Sequence, residues 1–317
     1  MEELKGKILI KVKKAIADTQ VPALTPIPTK SDDTSSSEDD KQQQPKKKVK
    51  ICENLGALGI YTHSEHFSSF SSPSAKKPPH VFSIGENDII DLHKKQKAEM
   101  MAHNRDYFMR AYPSGLRIDS SNLDPSVFWR KGVQMVAMNW QELDEGMMLN
   151  EGMFSGEHGW VLKPPGYRSD PAEPIDWKTL DLKVTVLAAQ HIPMEEGQTD
   201  TGFHPYVKCE IHVETGNEDL DGGKQKEGDY KAKTNYGTTD HPDFGPQGQL
   251  LEFPTIEKVV EELTFIRLVF CACKPHVYFF MHFAEATLPH DPDYLGTSLS
   301  PGCICMTCRK EVQTDAL

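Results

Sequence analysis

Arginine and tyrosine stand two residues apart at Arg110 and Tyr112, in a segment that reads RAYPSGLRIDSSN from Arg110 to Asn122. On a β-strand, side chains at i and i+2 point to the same face. A strand that ends at the Pro113-Ser114-Gly115 turn therefore projects a guanidinium beside an aromatic ring. Arg offers paired hydrogen bonds to phosphate oxygens. Tyr offers a flat surface with a polar tip. The pair suits an anionic, ring-shaped ligand. A second basic pair, Lys11 and Lys13, lies in LKGKILIKVKK, residues 4–14. Alternation puts Ile8, Ile10 and Val12 on one face of that strand and Leu9, Lys11 and Lys13 on the other. Lysines turned into a structure need anionic partners. The same pattern also describes an edge strand with a solvated lysine face, and the residues alone leave both readings open.

The elements around these residues read as mixed helix and strand over residues 50–168. Ile89–Tyr107 is a plausible helix capped by Asn87 or Asp88. Phe108–Tyr112 is strand-like and stops at Pro113. Ser126–Lys131 is a short helix leading into a strand at Gln134–Trp140, and Trp160–Lys163 is a further strand closed by Pro164 and Pro165. Strands separated by helices predict a parallel α/β arrangement. From residue 176 the pattern changes. Leu180–Leu187 and Tyr206–Val213 alternate cleanly, Asp229–Thr234 and Leu263–Phe270 add to them, and loops rich in Gly, Asp and Pro intervene. That is the pattern of a β-sandwich over residues 176–270.

The 317 residues allow two ordinary domains and a linker. Hydrophobic residues make up 38%, which predicts that part of the chain is unpacked. Residues 15–49, with SDDTSSSEDD followed by KQQQPKKKVK, are that part: a disordered, charged linker. PKKKVK also resembles a short nuclear-import signal, although lysine runs are common in solvated linkers. The net charge of −12 argues against uniform nucleic-acid binding and leaves room for a local basic pocket. Arg267, Lys274, His276, His282 and Glu285 interrupt the longest apolar stretch, Leu263–Leu288, so it is not expected to span a bilayer. Seven cysteines without a secretory signal point to a reducing, cytoplasmic setting.

Several motifs, in order, resemble eukaryotic phosphoinositide-specific phospholipase C. LKGKILIKVKK resembles the end of its X half. HSEHFSSFSSPSAKKPPHVFSIGE (His63–Glu86), RAYPSGLRIDSSN, FWRKGVQMVAMNWQ (Phe128–Gln141), MLNEGMF (Met148–Phe154) and GWVLKPPGYR (Gly159–Arg168) resemble its Y half. Residues from Leu180 to about Arg267 resemble the C2 domain that follows. The resemblance implies a partial TIM-type barrel, with residues 1–14 as the last strand of the X half and residues 50–168 as the Y half. A C2-like β-sandwich at 176–270 and a divergent tail at 271–317 come next. It also implies substrate-binding roles. Lys11, Lys13 and Arg110 would contact ring phosphates of an inositol head group, Ser83 would hydrogen-bond one of them, and Tyr112 would pack on the ring. The family hydrolyses phosphatidylinositol 4,5-bisphosphate to inositol trisphosphate and diacylglycerol, at the membrane surface and with calcium.

The family's catalytic histidine pair and its calcium ligands belong to the X half, upstream of LKGKILIKVKK. They are expected to be absent here, since Met1 lies three residues before that motif. No catalytic residue and no metal ligand is therefore assigned, and hydrolysis is expected to need a partner carrying the X half. The alternative is a catalytically incompetent fragment that binds phosphoinositides or membranes. His63, His66, His80 and His103 lie outside the catalytic motifs and read as surface or structural. Arg117 and Asp119 could form a structural pair. In the sandwich, His204 stands in HPYV where the family's first calcium loop often has Asp, with Asp200 nearby. In the tail, Cys305 and Cys308 have C-x-x-C spacing, but with Cys271, Cys273 and Cys303 they outline no recognisable zinc module.

Overall fold

The computed structural model describes residues 7–13, 52–155, 159–170, 172–192, 194, 202–213, 230–271, 277–282, 295–298 and 303–314, with backbone alone from Phe270 onward. The expected linker at 15–49 lies outside these residues.

A five-stranded parallel sheet comes first. It has the order β1 (Lys11–Lys13), β2 (Thr62–Glu65), β3 (His80–Gly85), β4 (Phe108–Tyr112) and β5 (Met135–Val136). Parallel neighbours need crossovers; helices α1 (Glu53–Ala57), α2 (Glu86–Lys95), α3 (Lys97–Asp106) and α4 (Pro125–Trp129) lie in three of them and a short 3-10 turn, Pro73–Lys76, in the one between β2 and β3. Phe82, Ile84, Met109 and Ala111 from the sheet pack on Ile89, Met100, Val127 and Phe128 from the helices. Alternation and Pro113 place β4 where the sequence puts it. The predicted helix Ile89–Tyr107 is instead two helices, broken at Gln96 (φ −144°, ψ 51°) and starting at Glu86 after Gly85. Ile89, His93, Met100 and Asn104 are buried on both sides of the break, so a single helical period hid it. The strand predicted at Gln134–Trp140 shortens to β5. Trp160–Lys163 forms no strand, because no described backbone pairs with it. After α4, Gly132 adopts φ +76° and Val133 N–H bonds back to Phe128 C=O at 3.1 Å, a left-handed helix stop that suits glycine.

Two antiparallel sheets follow. One joins β6 (Lys178–Gln190) to β9 (Gln249–Glu252), β10 (Ile256–Val259) and β14 (Cys303–Thr314), with β13 (Leu295–Ser298) beyond β14. The other has the order β12 (Val277–His282), β11 (Phe265–Cys271), β7 (Tyr206–His212), β8 (Lys231–Lys233). Leu180, Leu182, Val184 and Val186 alternate inward from β6 and meet Val207, Cys209, Ile211, Ile266 and Leu268. Residues 277–282, 295–298 and 303–314, where the sequence resembles nothing, thus add strands to both sheets. β14 pairs with β6 from Cys303–Gln190 to Thr314–Lys178. No described helix is long and apolar enough to cross a membrane.

The two layers are joined by a third cluster. Trp129, Leu149, Met153 and Tyr167 pack on Val260, Leu263 and Phe265. Beside it, Arg267 on β11 bonds Glu210 on β7, and at 2.8 Å it bonds Glu145 on α5 (Glu145–Phe154). Buried His212 lies 3.7 Å from Asp124 and 3.8 Å from Glu145.

Candidate functional site

At the carboxyl ends of the parallel strands the register gathers Ser83, Arg110 and Tyr112, and the Lys11 side chain is directed towards them from the start of β1. Ser83 on β3 is the direct neighbour of Arg110 on β4, and Gly85 the neighbour of Tyr112. The Arg110 guanidinium carbon lies 5.7 Å from the centre of the Tyr112 ring, a cation–π distance. Lys11 bonds Ser64 Oγ at 2.6 Å across β1 and β2. Burial first, and then the nearby charge of Arg110, push the Lys11 amino group below its ordinary value. Two cations thus converge, and no described carboxylate pairs with Arg110. Ser83 Oγ is buried without a hydrogen-bond partner. Tyr112 is 38% exposed, so its ring is open to a ligand. Lys13 shares the face of Lys11 and is exposed at the end of β1.

The loop after β4 is fixed by residues that the sequence reading missed. Glu86, at the start of α2, accepts two bonds from Arg117, both 2.7 Å, and a third from Ser114 N–H at 2.7 Å. Arg117 therefore pairs with Glu86, while Asp119 caps its own turn through Ser121 N–H at 3.1 Å. Burial works to raise the Glu86 carboxyl, and the bonds from Arg117 and Ser114 outweigh it and hold it low. Asn122 continues the brace. Its amide donates to Asn139 C=O, Glu142 C=O and Asp144 at 3.0–3.2 Å and accepts from Asn139 N–H at 2.6 Å. Asn122→Ala leaves several buried groups unpaired, so we expect a loss of roughly 2–3 kcal/mol of stability, measured by denaturant unfolding. Sequence spacing does not reveal Arg117 as the partner of Glu86, 31 positions away.

A cavity of about 860 Å³ reaches the site at Lys11 and extends away from it. Leu9, Phe108, Trp129, Met135, Trp160 and Lys163 line it, mostly from the opposite ends of the strands. Burial lowers the Lys163 amino group to about 8. An unfolded lysine keeps its proton to higher pH, so this group costs stability at neutral pH and stability rises as pH climbs from about 8 towards the ordinary lysine value. Lys163→Met is expected to flatten that rise in melting temperature.

A five-stranded parallel sheet with helical crossovers defines an α/β protein, consistent with part of a barrel-type fold, and the cations near the carboxyl ends of its strands suit an anion. Residues 55–166 match the model of the phosphatidylinositol-specific phospholipase C Y domain. Those residues are a Y domain of the phosphatidylinositol-specific phospholipase C family. It is 37% identical over 184 residues to 1-phosphatidylinositol 4,5-bisphosphate phosphodiesterase 1 of Candida albicans, an alignment covering 52% of this chain and 17% of that protein. It is 32% identical over 231 residues to the delta-3-A phosphodiesterase of Danio rerio, covering 67% and 29%. The crystal structure of S. officinalis PLC21 superposes with a TM-score of 0.66 at 21% identity, covering 86% of this chain and 35% of that one, a likeness of fold. The chain spans less than a third of the length of either curated relative.

Proposed function

We propose that this chain supplies the head-group-binding half of a phosphoinositide phospholipase C that hydrolyses phosphatidylinositol 4,5-bisphosphate to inositol trisphosphate and diacylglycerol. The observation that carries the reading is the convergence of Lys11 and Arg110 without a facing carboxylate. Ring phosphates supply the missing negative charge. Arg110 and Lys11 bind them, the free Ser83 hydroxyl donates to one, and Tyr112 packs against the inositol ring. Lys13, exposed at the rim, adds a longer-range contact. These groups position the ring and neutralise charge; they transfer no proton.

Calcium enters this reading as a property of the whole enzyme. Two ammonium groups, a guanidinium, one hydroxyl and a phenol do not fit an ion that takes roughly six to eight oxygen ligands. Calcium ligation therefore belongs to other residues. Residues 50–168 act in this reading as the Y half. The sandwich that begins near residue 176 acts as a C2-like domain that holds the protein peripherally at the cytoplasmic membrane surface. Its His204, which contacts Gly237 C=O at 3.3 Å, gives an imidazole where calcium favours oxygen.

Release of inositol phosphate from vesicles tests the proposal. Vesicles carry either phosphatidylinositol 4,5-bisphosphate or phosphatidylinositol, and the chain is assayed alone and with an added X half, with and without calcium. Calcium-dependent release in the mixture, faster from the bisphosphate lipid, is the expected result. Equal rates on the two lipids would contradict the assigned phosphate contacts.

A further inference from the structure

On the opposite face of the parallel sheet, His63 and His80 are direct neighbours in the ladder between β2 and β3. Both are buried, and their ring centres lie 4.8 Å apart, edge to face. Glu65 follows His63 by two positions and so shares its face. One ligand atom from each of the three residues lies within 4.8 Å of the other two. The Nδ1 of His80 is 2.9 Å from Ser74 C=O. A carbonyl can only accept, so Nδ1 carries the proton and Nε2 of the neutral ring keeps its lone pair. Metal-binding histidines are oriented by this kind of bond on the second nitrogen. The backbone is fixed as well, through His63 N–H to Pro79 C=O at 2.8 Å and His80 N–H to Lys77 C=O at 3.0 Å.

We propose that His63, His80 and Glu65 form a binding site for zinc or a similar divalent transition metal, with water completing the coordination. Two imidazoles and one carboxylate match the ligand preferences of zinc, and three protein ligands with an open fourth position are a common zinc arrangement. Calcium and magnesium are disfavoured by the two nitrogen ligands. The exposed Glu65 gives the ion a route from solvent. The site is separate from the cationic cluster. Lys11 and Ser64 bond each other on one face of the sheet, and His63, adjacent to Ser64 in sequence, points to the other. A bound ion there joins β2 to β3 and does not touch Arg110 or Ser83.

Zinc titration of the metal-free full chain, by competition with a chromophoric chelator, tests this. The wild type is compared with Glu65→Gln and His63→Gln. Any zinc held by cysteines elsewhere is common to all three proteins and cancels in the comparison. We expect His63→Gln to bind one equivalent fewer, and Glu65→Gln to hold that equivalent at least about tenfold more weakly. If His63→Gln does not fold, the surface change Glu65→Gln decides by itself. The same stoichiometry and affinity in Glu65→Gln as in the wild type would overturn the site.

Discussion

Glu210→Ala is expected to destabilise the protein by about 3–5 kcal/mol, because it breaks a buried charge network and leaves cations without their partner. The Glu210 side chain is 1% exposed. It lies 2.5 Å from Lys208 and 3.5 Å from Lys231, and it bonds Arg267. Burial acts to raise its carboxyl, but the bond from Lys208 and the charges of Arg267, Lys208 and Lys231 win and hold it at about 2. A carboxyl lowered in the folded state adds stability above its unfolded value, and that stability is lost as pH falls through the folded value. The wild type should therefore lose stability steadily as pH drops from about 4 towards 2, and Glu210→Ala should show a flatter acid limb. Asp124, also held at about 2, leaves part of that slope in place. Changing Glu210 and Arg267 together to Met should cost clearly less than the sum of the two single changes, because the most buried pair is removed as a unit and the remaining partners Lys208, Lys231 and Glu145 are partly exposed. Denaturant unfolding across this pH range gives both results. A double variant as unstable as the sum of the two single variants would refute the network account.

The second large effect is expected at Arg110. Assayed with an added X half, Arg110→Ala should lower kcat/KM on phosphatidylinositol 4,5-bisphosphate by about 10- to 100-fold, the equivalent of losing one charge-assisted phosphate contact of about 1.5–3 kcal/mol. On phosphatidylinositol, whose ring carries no further phosphates, the same variant should be nearly unchanged. Arg110→Lys should recover part of the loss, because Lys keeps the charge but not the paired hydrogen bonds. Arg110 is free of ion pairs among the described residues, so its removal should leave the melting temperature close to that of the wild type. A loss of equal size on both lipids would assign Arg110 a role in the fold or in general catalysis rather than in reading the ring phosphates.

The legible parts of the sequence were those with local causes. Period-two alternation and Pro113 bound β4, and the same alternation marked β6 and β7. Arg110 and Tyr112 share a face because strand geometry requires it, and the parallel α/β arrangement followed from strands spaced by helices. Other features depended on distant partners. Gln96 interrupts a helix whose buried positions keep one period across the break. Trp160–Lys163 has strand-like residues but no described strand to pair with. The short strands β9 and β10 are held by β6, which supplies the hydrogen bonds that four residues cannot supply for themselves. Glu86 meets Arg117 only because β3 and β4 are neighbours, so the local candidate Asp119 looked equally suitable. The nearness of Lys11 to Arg110 likewise needs the sheet order, in which β1, β2, β3 and β4 follow one another.

The most direct test of the cationic site is calorimetric titration of inositol 1,4,5-trisphosphate into the full chain, with unphosphorylated inositol as the control and circular dichroism to verify folding. The account predicts saturable binding of the trisphosphate that weakens as salt rises and falls at least about tenfold in Arg110→Ala. It predicts no measurable binding of inositol. Equal binding by Arg110→Ala and the wild type, with both folded, would contradict the assignment of Arg110 to the ring phosphates.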